Sequence, residues 1–241
     1  MKKEKHFVAA DAPHKKAEDV FATKQAVVTA ALLLGAQLVI YTGVKPVVER
    51  LPKIDLSLPI DAVIPYVPFF FLPYLLCFAY WALMYIYIAG LDVRRRINLT
   101  AAALCSSVLF GLLFMLIPTE MARPEDPGTG FFGLLAKIAY SADSPVNLFP
   151  SFHCFASYLC FIGVRGAKEA SIWLKIAAFL AALLTFASTM LVKQHYFVDF
   201  IPAVFIAELF WRLSLKTKLY LPFGRFLERI FSLFKLGGET V

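Results

Sequence analysis

Two histidines and an aspartate are the residues best suited to chemistry in this 241-residue chain. His195 and Asp199 are four residues apart, a spacing that places both side chains on one face if the segment is helical. A carboxylate beside an imidazole keeps one ring nitrogen protonated and leaves the lone pair of the other available. The spacing therefore predicts that His195 is a nucleophile oriented by Asp199.

The second histidine lies at a predicted helix start. Pro150 and Ser151 precede His153, and proline is favoured in the first turn of a helix. The free amides and the dipole at such a start attract an anion. A phosphate bound there with the help of Ser151 would bring its leaving oxygen close to His153. This makes His153 the candidate general acid.

Two cations complete a predicted phosphoryl-transfer site. Arg123 offers a planar guanidinium and Lys193 a mobile ammonium, and both would offset the negative charge of a phosphoryl transition state. This chemistry requires no metal and no cofactor. One alternative is a zinc site formed by the two histidines and Asp199, but Arg123 and Lys193 would repel the ion. A second alternative, that the histidines only pack, is disfavoured because so many ionisable groups gather on one side of a membrane.

The elements that must position these residues are predicted to be membrane helices. Hydrophobic residues make up 60% of the chain, too many for a soluble domain. A membrane-spanning helix needs about 20 apolar residues, and the chain contains five adequate runs and one short run. The runs cover residues 25–44, 67–90, 98–118, 151–165, 171–192 and 195–214. The predicted fold is all-α, an integral membrane bundle of six transmembrane helices.

The distribution of lysine and arginine predicts the orientation of this bundle. With both termini in the cytoplasm, eighteen of the 24 basic residues lie inside and six outside, as the positive-inside rule favours. All candidate site residues then lie on the extracytoplasmic or luminal side. The net charge of +7 fits a membrane surface and not a nucleic acid, because the basic residues fall between apolar runs.

One membrane domain with two tails is the expected organisation. We expect residues 1–24 to be a polar cytoplasmic tail without a cleavable signal peptide. Residues 25–214 are the expected catalytic domain, and residues 215–241 are expected to form a basic amphipathic tail at the membrane interface. The four cysteines lack metal-ligand spacing and are predicted to pack. The oligomeric state is left open.

Three clusters resemble the signatures of the type 2 phosphatidic acid phosphatase superfamily. These signatures are a Lys separated by six residues from Arg-Pro, then Pro-Ser-Gly-His, then Ser-Arg separated by five residues from a His that stands four before an Asp. The matching residues here are Arg123-Pro124, Pro150-Ser151-Phe152-His153, and Ser188 with His195 and Asp199. Segments 147–153 and 188–199 look closest to the branch that contains inositol phosphorylceramide synthase.

The resemblance implies a six-helix fold and a reaction on a lipid phosphate within the bilayer. It implies that His195 becomes a phosphohistidine, that Asp199 orients it and that His153 protonates the departing alcohol. Arg123 and Ser151 are implied to bind the phosphate. No cofactor is implied.

Three positions depart from these signatures. Leu116, Phe152 and Thr189 stand where the signatures have Lys, Gly and Arg. Two phosphate-binding cations are therefore missing, and Lys193 is the candidate substitute because it lies two residues before His195.

A lipid phosphatase acting on phosphatidic acid, an isoprenyl diphosphate or a similar lipid is the predicted function. A phosphotransferase of the inositol phosphorylceramide synthase type needs the same phosphohistidine, so the sequence leaves this alternative open. A non-catalytic lipid-binding or transport protein is a third alternative. The chain shows no paired half-repeats with interrupted helices, which transporters usually have.

Overall fold

The computed structural model describes residues 24–236, which form helices without a β-strand and with two isolated β-bridges. The α-helices are α1 (Lys24–Val48), α2 (Pro59–Val63), α3 (Phe71–Leu91), α4 (Val93–Leu116), α5 (Gly130–Ala142), α6 (Phe152–Arg165), α7 (Ile172–Leu191), α8 (Phe200–Lys216) and α9 (Tyr220–Leu233). Two 3₁₀ turns lie at Pro68–Phe70 and Phe197–Asp199. The all-α prediction is confirmed. The predicted N-terminal tail, except Lys24, lies outside the described residues.

Four of these helices are long and apolar enough to cross a membrane. They are α1, α3 with the 3₁₀ turn before it, α4 and α7. The chain is accordingly an integral membrane protein. α6 has 14 residues and α8 has 17, fewer than the roughly 20 that a perpendicular span requires. The count of six spans therefore stays a prediction.

The start of α8 differs from the predicted start of the sixth apolar run. α8 begins at Phe200, five residues after the predicted start at His195. Lys193 has a φ of 51°, a left-handed conformation that ends the helical path of α7. The chain then passes through a turn and a 3₁₀ turn before α8 begins. His195 and Asp199 are consequently on a turn and not on a regular helix.

Three consecutive arginines at the start of α4 join the ends of three other helices. Arg94 donates to the carbonyl groups of the last residues of α8, at 3.0 and 3.4 Å. Arg95 donates to carbonyl groups at the end of α6, at 2.9 and 2.6 Å, and Arg96 to one at the end of α3, at 2.7 Å. Carbonyl groups in the last turn of a helix lack partners within the helix. The three arginines supply these partners and tie this end of the bundle together.

At the opposite end, the loop between α4 and α6 contains a helix that was not predicted. This helix, α5, buries small residues, including Ala136 and Ala139, and exposes Phe131 and Leu134. Asp143, directly after α5, binds Lys45 at 2.9 Å and the hydroxyl of Tyr41 at 2.7 Å. α1 thereby anchors the loop that follows Arg123.

The C-terminal tail contains α9, which buries Gly224 and Leu227. The guanidinium of Arg94 lies over the ring of Tyr220, 3.2 Å from its centroid. α9 thus packs against the start of α4. Its predicted anchoring at the membrane interface stays a prediction.

Candidate active site

His153 lies in the first turn of α6 against an aromatic wall formed by α3. Its ring stacks on Tyr74, with centroids 4.7 Å apart, and also contacts Phe78 and Trp81. Trp81 is itself fixed by a 2.8 Å hydrogen bond from its indole nitrogen to Ser157. His153 is only 8% exposed, and neither ring nitrogen has a hydrogen-bond partner among residues 24–236. The wall therefore fixes the ring, while both nitrogens keep unused hydrogen-bonding capacity.

His195 and Asp199 are paired as their spacing predicted, although the predicted helix between them is wrong. The Nδ1 of His195 lies 3.1 Å from the Oδ2 of Asp199, which also accepts the amide of Tyr196 at 2.9 Å. Asp199 is fully buried, in the turn before α8, and burial raises the pKa of its carboxyl, while the bond to His195 opposes the shift. Because Nδ1 faces the carboxylate, Nε2 is the nitrogen of His195 that can attack.

The two histidine rings come together at one end of the bundle. Their centroids are 5.5 Å apart, and the ring planes meet at 64°. A nucleophile must approach a reacting atom to about 3–3.5 Å, and a general acid must lie about 2.6–3.2 Å from the leaving oxygen. Rings at this separation can both contact one ligand bound beside them.

Arg123 reaches the same site through Gln194. Its Nη2 donates to the Oε1 of Gln194 at 3.1 Å, and its Nη1 donates to the carbonyl groups of Tyr140 and Asp143, at 2.9 and 2.7 Å. The guanidinium also lies over the Tyr140 ring, 4.5 Å from the centroid. Gln194, buried beside His195, was not predicted as a site residue. A polar amide next to the candidate nucleophile was the one signal available for it.

Buried polar atoms that have no partner in the described part of the chain gather in this region. They include the Nε of Arg123, the Nε2 of Gln194, the Oδ1 of Asp199 and both ring nitrogens of His153. Buried polar groups are nearly always hydrogen-bonded in proteins. Several such atoms in one place, most of them donors or potential donors, suit a ligand rich in acceptor oxygens. A phosphate group has this character.

Ser151 connects the starts of two elements that carry site residues. Its hydroxyl accepts the amide of Cys154 at 3.2 Å and so caps α6. Its own amide donates to the carbonyl of Asp199 at 3.0 Å, which joins the start of α6 to the turn before α8. Phosphate binding by Ser151 stays a prediction.

Lys193 points toward α2. Its ammonium donates to the carbonyl groups of Ile64 and Asp61, at 2.6 and 3.2 Å. No hydrogen bond or ion pair joins it to His153, Arg123 or another predicted site residue of the described part of the chain. Its predicted role as a replacement cation stays a prediction.

Metal-binding groups are not clustered in the described part of the chain. Between residues 24 and 236, no group of three or more histidine, cysteine or acidic side chains is arranged to hold a metal ion. The four cysteines are free thiols. Cys154 follows His153 in the first turn of α6.

Comparison with known proteins identifies the family. No curated protein and no solved structure matched the chain. A family model described as the PAP2 superfamily matches residues 50–213, about two thirds of the chain. The match includes Arg123 and both histidines of the site, together with the carboxylate beside His195. From this match we conclude that the chain belongs to the PAP2 superfamily.

Proposed function

We propose that this protein is a membrane enzyme that cleaves a phosphate ester of a lipid through a phosphohistidine at His195. Membership of the PAP2 superfamily supports a function of the phosphatase or phosphotransferase type. The observation that carries the specific proposal is the pair of histidine rings, 5.5 Å apart, with Asp199 behind one of them. A phosphatase, with water as the acceptor, is the first candidate.

The first step forms the bond between enzyme and phosphorus. The lone pair of Nε2 of His195 attacks phosphorus, and the bond from phosphorus to the ester oxygen breaks. His153, protonated at this stage, gives its proton to the leaving oxygen, so that the alcohol departs neutral. Asp199 accepts the Nδ1 proton of His195 in a hydrogen bond and stabilises the positive charge that develops on this ring.

The second step regenerates the enzyme. Water attacks the phosphorus, and the now neutral His153 takes its proton while the bond between nitrogen and phosphorus breaks. Arg123 and the amide of Gln194 supply donors for the phosphoryl oxygens in both steps. The proposed substrate is a lipid held in the bilayer, and the proposed site opens on the extracytoplasmic or luminal side.

A lipid-phosphate assay in detergent tests this proposal. The parent protein is incubated with phosphatidic acid, isoprenyl diphosphate and related lipids, with and without acceptor alcohols. Release of inorganic phosphate without an alcohol supports the phosphatase. His195→Ala is expected to bind the lipid phosphate without turnover, while His14→Ala, which lies outside the family match, serves as the histidine control. A parent that is silent on the whole panel would favour a non-catalytic lipid-binding or transport protein.

The low positive charge of the site favours a second candidate, transfer of a phospho-headgroup as in inositol phosphorylceramide synthase. Within residues 24–236, Arg123 is the cation that hydrogen-bonds a residue of the site, and Leu116 and Thr189 replace the two signature cations. A phosphomonoester carries between about 1.5 and 2 negative charges at neutral pH, whereas a phosphodiester carries one. A single guanidinium therefore suits a diester. Product that appears only with an added alcohol would support this candidate.

A further inference from the structure

The turn that carries His195 is held by the short helix α2 on both sides of the histidine. Two residues before it, Lys193 donates to the carbonyl groups of Ile64 and Asp61, at 2.6 and 3.2 Å. Asp61 is the third of the five residues of α2 and Ile64 follows its last residue, and carbonyl groups in the last turn of a helix lack partners within the helix. The ammonium of Lys193 therefore caps α2.

Two residues after the histidine, the contact runs in the other direction. The amide of Phe197, the first residue of the 3₁₀ turn, donates to the Oδ1 of Asp61 at 2.7 Å. The Oδ2 of Asp61 accepts the amide of Leu58 at 2.8 Å, which fixes the carboxylate at the start of α2. Both oxygens of this carboxylate are therefore engaged, one within α2 and one on the turn.

A second set of contacts holds the turn from α7 and from within the turn itself. The carbonyl of Thr189 accepts the amides of Gln194 and His195, at 2.9 and 3.2 Å. Asp199 accepts the amide of Tyr196, and the same carboxylate oxygen contacts the Nδ1 of His195. These contacts come from α7 and from the turn itself. The contacts of α2 are thus one of two sets of contacts that hold the backbone around His195.

We propose that Asp61 and Lys193 are positioning residues that together hold the His195 turn in its attacking geometry. This inference rests on the proposed function. Two of the three donors of the Lys193 ammonium already serve α2, so this lysine acts on the reaction through the backbone of the turn. A displacement of about 1 Å at a reacting group can cost about 100-fold in rate. Loss of the contacts of either Asp61 or Lys193 should therefore slow the chemical step.

The test compares Asp61→Ala, Lys193→Met and the double variant with the parent. The matched controls are Asp55→Ala and Lys137→Met, because the exposed carboxylate of Asp55 accepts the amide of Ser57, two residues away, and Lys137 is exposed on α5. For each protein, kcat and KM are measured on the lipid phosphate that the parent turns over, and Ki is measured for inorganic phosphate. The amount of folded protein is determined by size-exclusion chromatography and thermal unfolding, and kcat is expressed per folded molecule.

Each single variant should lose about 10- to 100-fold in kcat while KM and the phosphate Ki stay at the parental values. The double variant should be no slower than the slower single variant, because either change releases the same turn. Lys193→Arg keeps a donor for the α2 carbonyls, and Asp61→Asn keeps an acceptor for the Phe197 amide. Both conservative variants should recover most of the lost kcat.

Other outcomes overturn the proposal. If the phosphate Ki of Lys193→Met rises tenfold while that of Asp61→Ala stays at the parental value, Lys193 is a phosphate ligand. Undiminished kcat in both single variants of an active parent would show that α2 does not position the turn. A parent without turnover on any lipid phosphate would overturn the proposed function and this inference together.

Discussion

Asp199→Asn separates the electrostatic role of this carboxylate from its role in folding. Asn has nearly the same shape and keeps an oxygen for the amide of Tyr196, but it removes the negative charge that lies 3.1 Å from the imidazole of His195. The imidazole of His195 develops positive charge as it attacks, and in this variant no carboxylate stabilises that charge. The proposed chemistry should suffer although the geometry of the turn is kept.

The size of the loss follows from Coulomb's law. With the ring charge spread to about 4 Å from the carboxylate and an effective dielectric constant of about 20, the interaction is about 4 kcal/mol. Between half and all of this energy is lost in the transition state, depending on how much charge has developed. At about 1.4 kcal/mol for each factor of ten, kcat should fall between about 30- and 1,000-fold.

The thermal stability of Asp199→Asn should rise or stay unchanged, although its activity falls. Burial raises the pKa of Asp199, so the ionised carboxylate costs folding free energy at neutral pH that the neutral Asn does not cost. We expect the thermal midpoint of Asp199→Asn to equal or exceed that of the parent at pH 7. This difference should vanish below the ordinary Asp pKa of about 3.9, where the carboxyl is neutral in both the folded and unfolded chain.

The assay is lipid-phosphate turnover in detergent, together with thermal unfolding of the same preparations. Asp55→Asn is the control, because Asp55 is exposed and its carboxylate accepts the amide of Ser57. A kcat within threefold of the parent would refute the assignment of His195 and Asp199 as nucleophile and orienting carboxylate. A large loss of stability would instead show that the carboxylate serves mainly to hold the turn.

Four further predictions concern the acid, the phosphate donors, the helix ends and metals. His153→Ala should lower turnover of an alkyl phosphate about 100- to 10,000-fold and that of a p-nitrophenyl ester much less, since a good leaving group needs no acid; kcat on the two substrates checks this. Gln194→Leu should lower kcat/KM for the lipid phosphate about 10- to 100-fold, the value of one hydrogen bond to a charged group. Arg95→Met should lower the unfolding free energy by about 1–3 kcal/mol, measured by thermal unfolding, with kcat per folded molecule unchanged. EDTA should leave turnover unchanged in a direct assay.

Each of these predictions has a contrary result. An equal loss on both leaving groups would mean that His153 binds phosphate and is not the acid. A Gln194→Leu variant with the parental kcat/KM would show that the amide of Gln194 does not bind the phosphate. Arg95→Met with the stability of Arg50→Met, a change at an exposed arginine, would show that the helix ends need no such bonds. Loss of turnover with EDTA and recovery with zinc would favour the metal alternative.

The helical membrane architecture follows from local properties of the sequence. In hydrocarbon, an apolar run of about 20 residues favours a helix, because a helix pairs the backbone polar groups within the run. The spacing of His195 and Asp199 was likewise sufficient to predict their pairing, although the connecting backbone is a turn. Residues four apart can meet in either conformation. The motif residues could therefore be chosen from the sequence without knowledge of the fold.

The support around these residues was decided by packing between distant segments. The bond between Arg123 and Gln194 joins residues 71 apart, and that between Lys193 and Ile64 joins residues 129 apart. α5 was missed because its short amphipathic segment lies in the loop between α4 and α6. Hydropathy and spacing describe one segment at a time, whereas these contacts depend on which helix ends meet. The tertiary structure alone turned Lys193 toward α2 and brought Arg123 to Gln194, beside the histidine pair.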